Sequence, residues 1–170
     1  MDSTKLISRI AIFTALAIAL GYILSFVPNF ELITSTIFIS GALLGMEVGM
    51  IVGMLSFLIF GFANPLGPSP LPLLLAQIAG GIFAGFMGGI YRKKKWDRVY
   101  ILVLIGLLVT FVYDMITTAT GFIFFPTKKT FIAYFLFGLP FVLWHIWTQG
   151  IIYALILFPV IKQLRKRVSG

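Results

Sequence analysis

The residues of this sequence that could do chemistry are few and lie within long apolar stretches. Asp114 follows Tyr113 in one stretch, and His145 lies between Trp144 and Trp147 in another. An ionisable side chain inside an apolar span is costly, so it usually marks a substrate, ion or proton pathway. A carboxylate and an imidazole at similar depth could bind each other, contact a ligand or relay a proton.

The motifs of familiar enzymes are missing. The sequence has no Gly-rich loop followed by Lys and Ser or Thr, so we do not expect the chain to hydrolyse ATP by itself. No second acid lies in an apolar stretch to share a proton with Asp114, as an aspartyl dyad requires. Without cysteine and with one histidine, a zinc site or a thiol nucleophile is not expected. We therefore predict no catalytic residues, no cofactor and no metal.

The composition predicts a protein that is dissolved in lipid. Hydrophobic residues make up 60% of the 170 positions and charged residues 11%, whereas soluble domains carry roughly 25% charged residues. A chain of this length must expose a large surface, and a surface this apolar needs a bilayer around it. The net charge of +8 does not indicate a nucleic-acid partner, because the basic residues flank apolar runs.

Six apolar runs predict six membrane-spanning helices. A hydrocarbon core about 30 Å thick takes about 20 helical residues to cross. Pro, Gly and polar residues separate runs at 7–27, 32–44, 48–62, 71–91, 99–125 and 131–161. The second and third runs are short, so we expect them to need a thin bilayer or shelter from neighbouring helices. The predicted fold class is an all-α integral membrane protein, one compact six-helix bundle over residues 1–170.

The basic residues predict the orientation of this bundle. They cluster before the first run, between the fourth and fifth runs, and after the sixth, at Lys5, Arg9, 92–95, Arg98, Lys162 and 165–167. Basic residues near the ends of spans favour the cytoplasmic side, and six crossings put all these clusters on that side. Both termini are therefore predicted to be cytoplasmic. Only Lys128 and Lys129 fall in an outer loop.

Small residues recur at four-residue spacing in three runs. These are Ala11, Ala15 and Ala19; Gly41, Gly45, Gly49 and Gly53; and Gly81, Gly85 and Gly89. In lipid, helices associate where small residues let their backbones approach. The two Gly series predict tight internal packing of the second, third and fourth helices. The Ala series is open to two interpretations, internal packing or contact with a separate membrane subunit.

The polar side chains near the outer ends of the predicted helices could form a ligand pocket. The fifth and sixth spans leave one outer loop in opposite directions, so Asp114 and His145 can both lie about 20 Å or less below the outer surface. One interpretation is a buried hydrogen bond that fixes helix register. The other is a pocket with aromatic walls for a small heterocyclic ligand. The candidate binding residues are Asn29, Glu31, Asn64, Gln77, Tyr113, Asp114, Thr117, Trp144, His145 and Trp147.

The charged residues around this pocket favour ligands of opposite charge. Glu31 and Asp114 would favour a ligand with an amine or a ring N–H. Lys128 and Lys129 in the outer loop could instead attract a carboxylate or a phosphate. We favour an aromatic or heterocyclic vitamin over a simple ion.

Over essentially its whole length the chain resembles the substrate-binding S component of energy-coupling factor (ECF) transporters. The resemblance is carried by six spans, the basic ends, the Ala11, Ala15, Ala19 series, and the stretches PNFELIT at 28–34 and NPLGP at 64–68. It implies an outward pocket for a vitamin or related micronutrient. It also implies that the Ala series docks on the membrane coupling subunit EcfT, which two cytoplasmic ATPases drive, in a prokaryotic plasma membrane.

Two other functions compete with this one. The chain could be a self-sufficient secondary transporter or channel that uses Asp114 and His145 as a proton relay. It could also be a membrane scaffold that transports nothing. Solute flux through liposomes that contain only this protein would favour the self-sufficient transporter or channel. The absence of any bound ligand would favour the scaffold.

Overall fold

The computed structural model describes residues 3–168, with side chains as far as residue 164. The described chain is helical and has no strands. Its helices are α1 Ser3–Leu24, α2 Ile33–Leu44, α3 Met46–Phe62, α4 Leu71–Lys93, α5 Val99–Phe124, α6 Phe131–Ile152 and α7 Phe158–Val168, with a π-helical turn Tyr153–Leu157 joining α6 to α7. The terminal residues of the predicted domain, 1–2 and 169–170, and the basic side chains at 165–167 lie outside the described part.

The prediction of an all-helical fold is confirmed. Within the described residues, four helical segments are long and apolar enough to cross a bilayer, namely α1, α4, α5 and the continuous segment Phe131–Leu164. Helices α2 and α3 are apolar but shorter. At 1.5 Å per residue, the 12 residues of α2 reach about 18 Å, which is less than a bilayer core.

Helix α2 lies inside the bundle, where its neighbours shelter it. Nine of its residues are buried, and it packs against α1, α3, α4 and the C-terminal helix. The Phe38 ring of α2 is tilted against Tyr91 and meets Tyr153 edge-on, with ring centroids 5.8 Å and 5.2 Å away, and all three side chains are fully buried. Packing against neighbouring helices therefore stabilises the short second helix.

Helices α2, α3 and α4 meet backbone to backbone along a glycine seam, formed by Gly41, Gly49, Gly53, Gly81 and Gly85. A Cβ added to Gly85 would lie 2.1 Å from the carbonyl carbon of Gly49, and one added to Gly53 would lie 2.2 Å from the carbonyl oxygen of Gly81. No side chain fits between such backbones. The predicted internal packing of the two Gly series is confirmed.

The break between α2 and α3 is tighter than predicted. The sequence suggests a break over residues 45–47, but Met46 and Glu47 already belong to α3. Gly45 alone turns the chain, with a φ of 116° that residues with a Cβ rarely adopt. A single glycine is therefore enough to reverse the chain between two short helices.

The bundle has two different ends. One end, which we call the basic end, holds the start of α1, the Gly45 turn and the 94–98 loop. The other, which we call the cavity end, holds the loops over residues 25–32, 63–70 and 125–130. Two contacts tie the cavity-end loops to the helices: the Tyr22 hydroxyl donates to the Ala63 carbonyl at 2.7 Å, and the Ser69 N–H donates to the Gly61 carbonyl at 2.8 Å.

The first helix buries one face and exposes another. Thr14, Ala17 and Gly21 are buried against the bundle, where Gly21 makes room for Ile33 and Phe60. Ala11, Ala15 and Ala19 are all exposed. Of the two interpretations of the Ala series, internal packing is therefore wrong, because the bundle covers the opposite face of α1.

Candidate functional site

A cavity of about 360 Å³ lies at the cavity end, between the 25–32 loop and helices α3 to α6. Its polar lining side chains are Ser25, Asn29, Glu31, Asn64, Gln77, Tyr113, Asp114, Thr117 and His145. Eight of the ten predicted binding residues are in this set. Pockets of this size and mixed lining are typical of small-molecule sites.

The other two predicted residues, Trp144 and Trp147, lie away from the cavity. Their side chains are 52% and 66% exposed, and Trp147 lies in a separate apolar groove between α5 and α6. The prediction that these indoles form walls of the pocket is wrong. The reason is helical geometry, because Trp144 is rotated by about 100° and Trp147 by about 200° around α6 from His145, which faces the cavity.

The centre of the cavity lining is a histidine between two carboxylates, the Glu31–His145–Asp114 cluster. His145 Nδ1 donates to Asp114 Oδ1 at 2.8 Å, and His145 Nε2 lies 3.7 Å from Glu31 Oε1. Asp114 is 8% exposed and His145 is 4% exposed. The predicted contact between α5 and α6 therefore exists, and it faces a cavity. Among the described residues, no group of three such side chains is arranged to bind a metal ion.

The polar face of α6 holds the 25–32 loop in place. Thr148 Oγ1 donates to the Asn29 carbonyl at 3.0 Å, and the Asn29 side-chain amide donates to the Phe141 carbonyl at 3.0 Å. Gln149 Nε2 donates to the Glu31 carbonyl at 2.7 Å and to Glu31 Oε1 at 2.9 Å. Residues one helical turn below His145 therefore position the carboxylate that faces it.

Gln149 is a positioning residue that sequence reasoning did not single out. It is fully buried, and its Oε1 accepts a hydrogen bond from the Ser35 hydroxyl at 2.9 Å. Both ends of its amide are therefore used, one by α2 and one by Glu31. A buried glutamine four residues after a buried histidine is a signal that could have identified it.

Glu31 is held in its ionised form. Its carboxylate accepts hydrogen bonds from the Thr34 backbone N–H at 2.9 Å and from the Thr34 hydroxyl. Burial raises the pKa of Glu31, but the electrostatic effect of His145, whose Nε2 lies 3.7 Å away, and the bonds from Thr34 lower it more. The pKa of Glu31 therefore lies below its usual value.

Aromatic side chains do wall the cavity, but they are different ones from those predicted. Phe57 packs against Tyr113 with ring centroids 5.4 Å apart, and Tyr113 meets the His145 ring edge-on at 6.4 Å. Phe30 and Phe60 complete the aromatic lining. The chain has 18 phenylalanines, so composition alone cannot distinguish these three from those that face lipid.

Several lining residues outside the Glu31–His145–Asp114 cluster already have partners within the chain, among them Asn29, Asn64 and Thr117. Asn64 Oδ1 accepts from the Leu66 N–H at 2.8 Å in a turn, and the Thr117 hydroxyl donates to the Tyr113 carbonyl at 2.9 Å. The Asn29 amide is bound to α6. These side chains shape the cavity wall.

Other lining atoms have no partner. Asp114 Oδ2, His145 Nε2 and Gln77 Oε1 are buried and have no hydrogen bond to any described residue. Unpaired buried polar atoms are uncommon in folded proteins, and each costs about 1–3 kcal/mol. Three of them around one cavity indicate a place where a bound molecule supplies the missing partners.

The chain belongs to the family of ECF transporter substrate-specific components, because residues 5–161 match that family. The resemblance inferred from the sequence is thereby confirmed. Comparison with curated proteins found no match, and comparison with solved structures found none either. The protein is therefore a multi-pass membrane transport protein, a substrate-specific subunit and not an enzyme.

Proposed function

We propose that the cavity is the substrate site of an ECF-type importer and that it captures a vitamin or related micronutrient. The observation that carries this proposal is the Glu31–His145–Asp114 cluster, with His145 and Asp114 buried, at the wall of a cavity of about 360 Å³. Its walls combine aromatic rings with a few converging polar groups, as sites for heterocyclic ligands do. Eight of the predicted binding residues are proposed to form this site: Asn29, Glu31, Asn64, Gln77, Tyr113, Asp114, Thr117 and His145.

The cavity is proposed to open outward from a prokaryotic plasma membrane. Six helices would cross the bilayer, with both termini in the cytoplasm. The support is the charge distribution, because every Lys and Arg except Lys128 and Lys129 belongs to a segment at the basic end. Basic residues near span ends favour the cytoplasmic side. The cavity end would then face the source of the nutrient.

The exposed Ala face of α1 is proposed to dock on the coupling subunit EcfT, with two cytoplasmic ATPases supplying the energy from ATP. Ala11 and Ala15 line an apolar groove that also includes Ile51 and Leu55 of α3. Ala19 lies one turn further along the same exposed face. Small side chains beside a groove let another helix approach closely.

A proton-coupled secondary transporter remains the second candidate. The observation in its favour is that His145 lies between two carboxylates, which is an arrangement that can pass a proton. This candidate predicts transport by the protein alone in liposomes. The proposed importer subunit predicts binding alone and transport only with its partners.

Untargeted mass spectrometry of small molecules that co-purify with the protein tests the proposal. We expect a bound molecule, and we expect Asp114→Asn to weaken its binding at least about tenfold, because a charged hydrogen bond is lost. Asp97→Asn makes the same chemical change at the exposed basic end and should leave binding unchanged. Flux through liposomes that contain only this chain would contradict the importer role.

A further inference from the structure

The electrostatic character of the cavity wall is negative. With both carboxylates ionised, Glu31 and Asp114 each contribute a negative charge, and His145 can neutralise at most one of them. The Glu31–His145–Asp114 cluster therefore stays negative in either protonation state of the histidine. Among the side chains that the structure describes, no Lys or Arg lines this cavity.

The two lysines of the outer loop do not change this balance. Lys128 and Lys129 are exposed and lie outside the cavity lining. The Lys129 ammonium sits over the ring of Phe137, 3.7 Å from its centroid, and it is held there by a cation–π interaction. The two opposing charge patterns in the sequence are therefore separated in space, and only the acidic one faces the cavity.

The unpaired polar atoms of the cavity wall lack hydrogen-bond donors. Asp114 Oδ2 and Gln77 Oε1 can only accept hydrogen bonds, and both are buried without a partner among the described residues. His145 Nε2 accepts when the ring is neutral, because Nδ1 donates to Asp114, and it donates when the ring is protonated. The atoms that need donors in both states are therefore Asp114 Oδ2 and Gln77 Oε1. A ligand rich in N–H groups can donate hydrogen bonds to these atoms. A carboxylate or phosphate has only acceptor oxygens and cannot.

The cavity also offers rings that suit a positive charge. Phe57, Phe60 and Tyr113 line it together with the acidic cluster. Aromatic faces attract cations, and the attraction is stronger when the pair is shielded from water. Charge, hydrogen-bond capacity and aromatic lining therefore favour one class of ligand.

We propose that the ligand of this cavity carries a protonated nitrogen with N–H donors, such as an ammonium, an amidinium or a protonated amino-heterocycle, and that Glu31 and Asp114 bind that group. The inference rests on the proposed function of the cavity as a substrate site. It extends that function by assigning the charge of the substrate. Gln77, on α4, supplies a further acceptor in the cavity lining.

The test uses three probes of nearly equal shape and different charge: benzamidinium, benzamide and benzoate. The full chain is placed in lipid nanodiscs, and the retention of each probe in equilibrium dialysis is compared with that of empty nanodiscs. We expect benzamidinium to bind at least about tenfold more tightly than benzamide, and benzoate to show no specific binding. Equal retention of benzoate and benzamidinium would overturn the proposal.

Paired substitutions locate the binding. Asp114→Asn and Glu31→Gln should each reduce benzamidinium retention at least about fivefold, because each removes one negative charge from the wall. Asp97→Asn and Glu47→Gln remove the same charges from exposed positions at the basic end and should have no effect. Thermal unfolding of each variant checks that it is folded, and retention that survives in both folded cavity variants contradicts the assignment.

The identity of a co-purifying molecule separates this inference from the function on which it rests. A neutral or anionic molecule bound in the cavity would overturn the charge assignment and leave the importer role standing. A molecule with a protonated nitrogen, released by Asp114→Asn and retained by Asp97→Asn, supports both. If no small molecule and no probe is retained, both proposals fail.

Discussion

Two series of small residues in this protein share the same spacing but have opposite surroundings. Gly81, Gly85 and Gly89 on α4 are buried against the backbones of α2 and α3. The alanines at 11, 15 and 19 on α1 are exposed. A four-residue spacing places small residues on one helix face but does not say what that face meets.

The difference follows from where each helix lies in the bundle. Helix α4 packs against α2, α3 and α5, so most of its circumference is covered. Helix α1 packs mainly on α2 and α3 and lies at the edge. Small residues on a covered helix face let neighbouring helices of the same bundle pack closely. On an exposed face at the edge they leave room for a helix of another subunit to pack closely. The following predictions test this distinction by substitution.

The largest effect is expected in the glycine seam. Gly85→Ala places a Cβ 2.1 Å from the Gly49 backbone, and neither backbone can move without shifting α3 from α4. We expect a loss of stability at or beyond the upper end of the about 1–3 kcal/mol range for overpacking. The measurement is thermal or denaturant unfolding of the protein in micelles.

Gly138→Ala is the matched control for this substitution. An added Cβ at Gly138 meets no atom within 4 Å, so stability should stay level or rise by roughly 0.5–1 kcal/mol from helix propensity. Equal losses for the two variants would mean that glycine matters at both positions for backbone freedom and not for close packing.

A smaller loss is expected on the buried face of α1. Ala17 is 0% exposed and belongs to the core, so Ala17→Leu should destabilise the bundle by about 1–3 kcal/mol. The same unfolding assay measures the effect. If Ala17→Leu left the free energy of unfolding unchanged, the face of α1 that contains Ala17 would not be packed as the structure indicates. The distinction between a buried and an exposed face of α1 would then be wrong.

Much of the fold is predictable from the sequence because lipid imposes simple rules. Apolar runs of sufficient length must be helices, and polar or Gly-Pro segments must connect them. The observed helices begin and end close to the predicted runs. The turn at Gly45 is tighter than expected, because the positive φ of a single residue is a local geometric solution that composition does not reveal.

The site is only partly predictable, and the failures have physical reasons. Asp114 and His145 meet because antiparallel helices from one loop bring equal depths together. Trp144 and Trp147 were expected at the cavity, but depth alone does not fix the side of a helix on which a residue lies. His145 and Gln149 are four residues apart and therefore lie on one face of α6. Taking that polar face as the cavity face would have placed Trp144 and Trp147 outside the cavity.

The smallest effect on stability, and the clearest effect on assembly, is expected on the exposed Ala face. Ala15 is exposed, so Ala15→Leu should change the free energy of unfolding by less than about 0.5 kcal/mol. Binding to the coupling module should weaken at least about tenfold, because the larger side chain holds the two helices apart. Pull-down of EcfT and the ATPases from nanodiscs measures it.

Ala79→Leu is the matched control for that experiment. Ala79 is also an exposed alanine, but it lies on α4, away from the Ala face of α1. It should tolerate leucine without any loss of assembly or stability. Full assembly by Ala15→Leu would remove the docking role from α1 and leave its exposed alanines facing lipid. Equal loss in both variants would mean that the coupling module contacts a wider surface than one helix face.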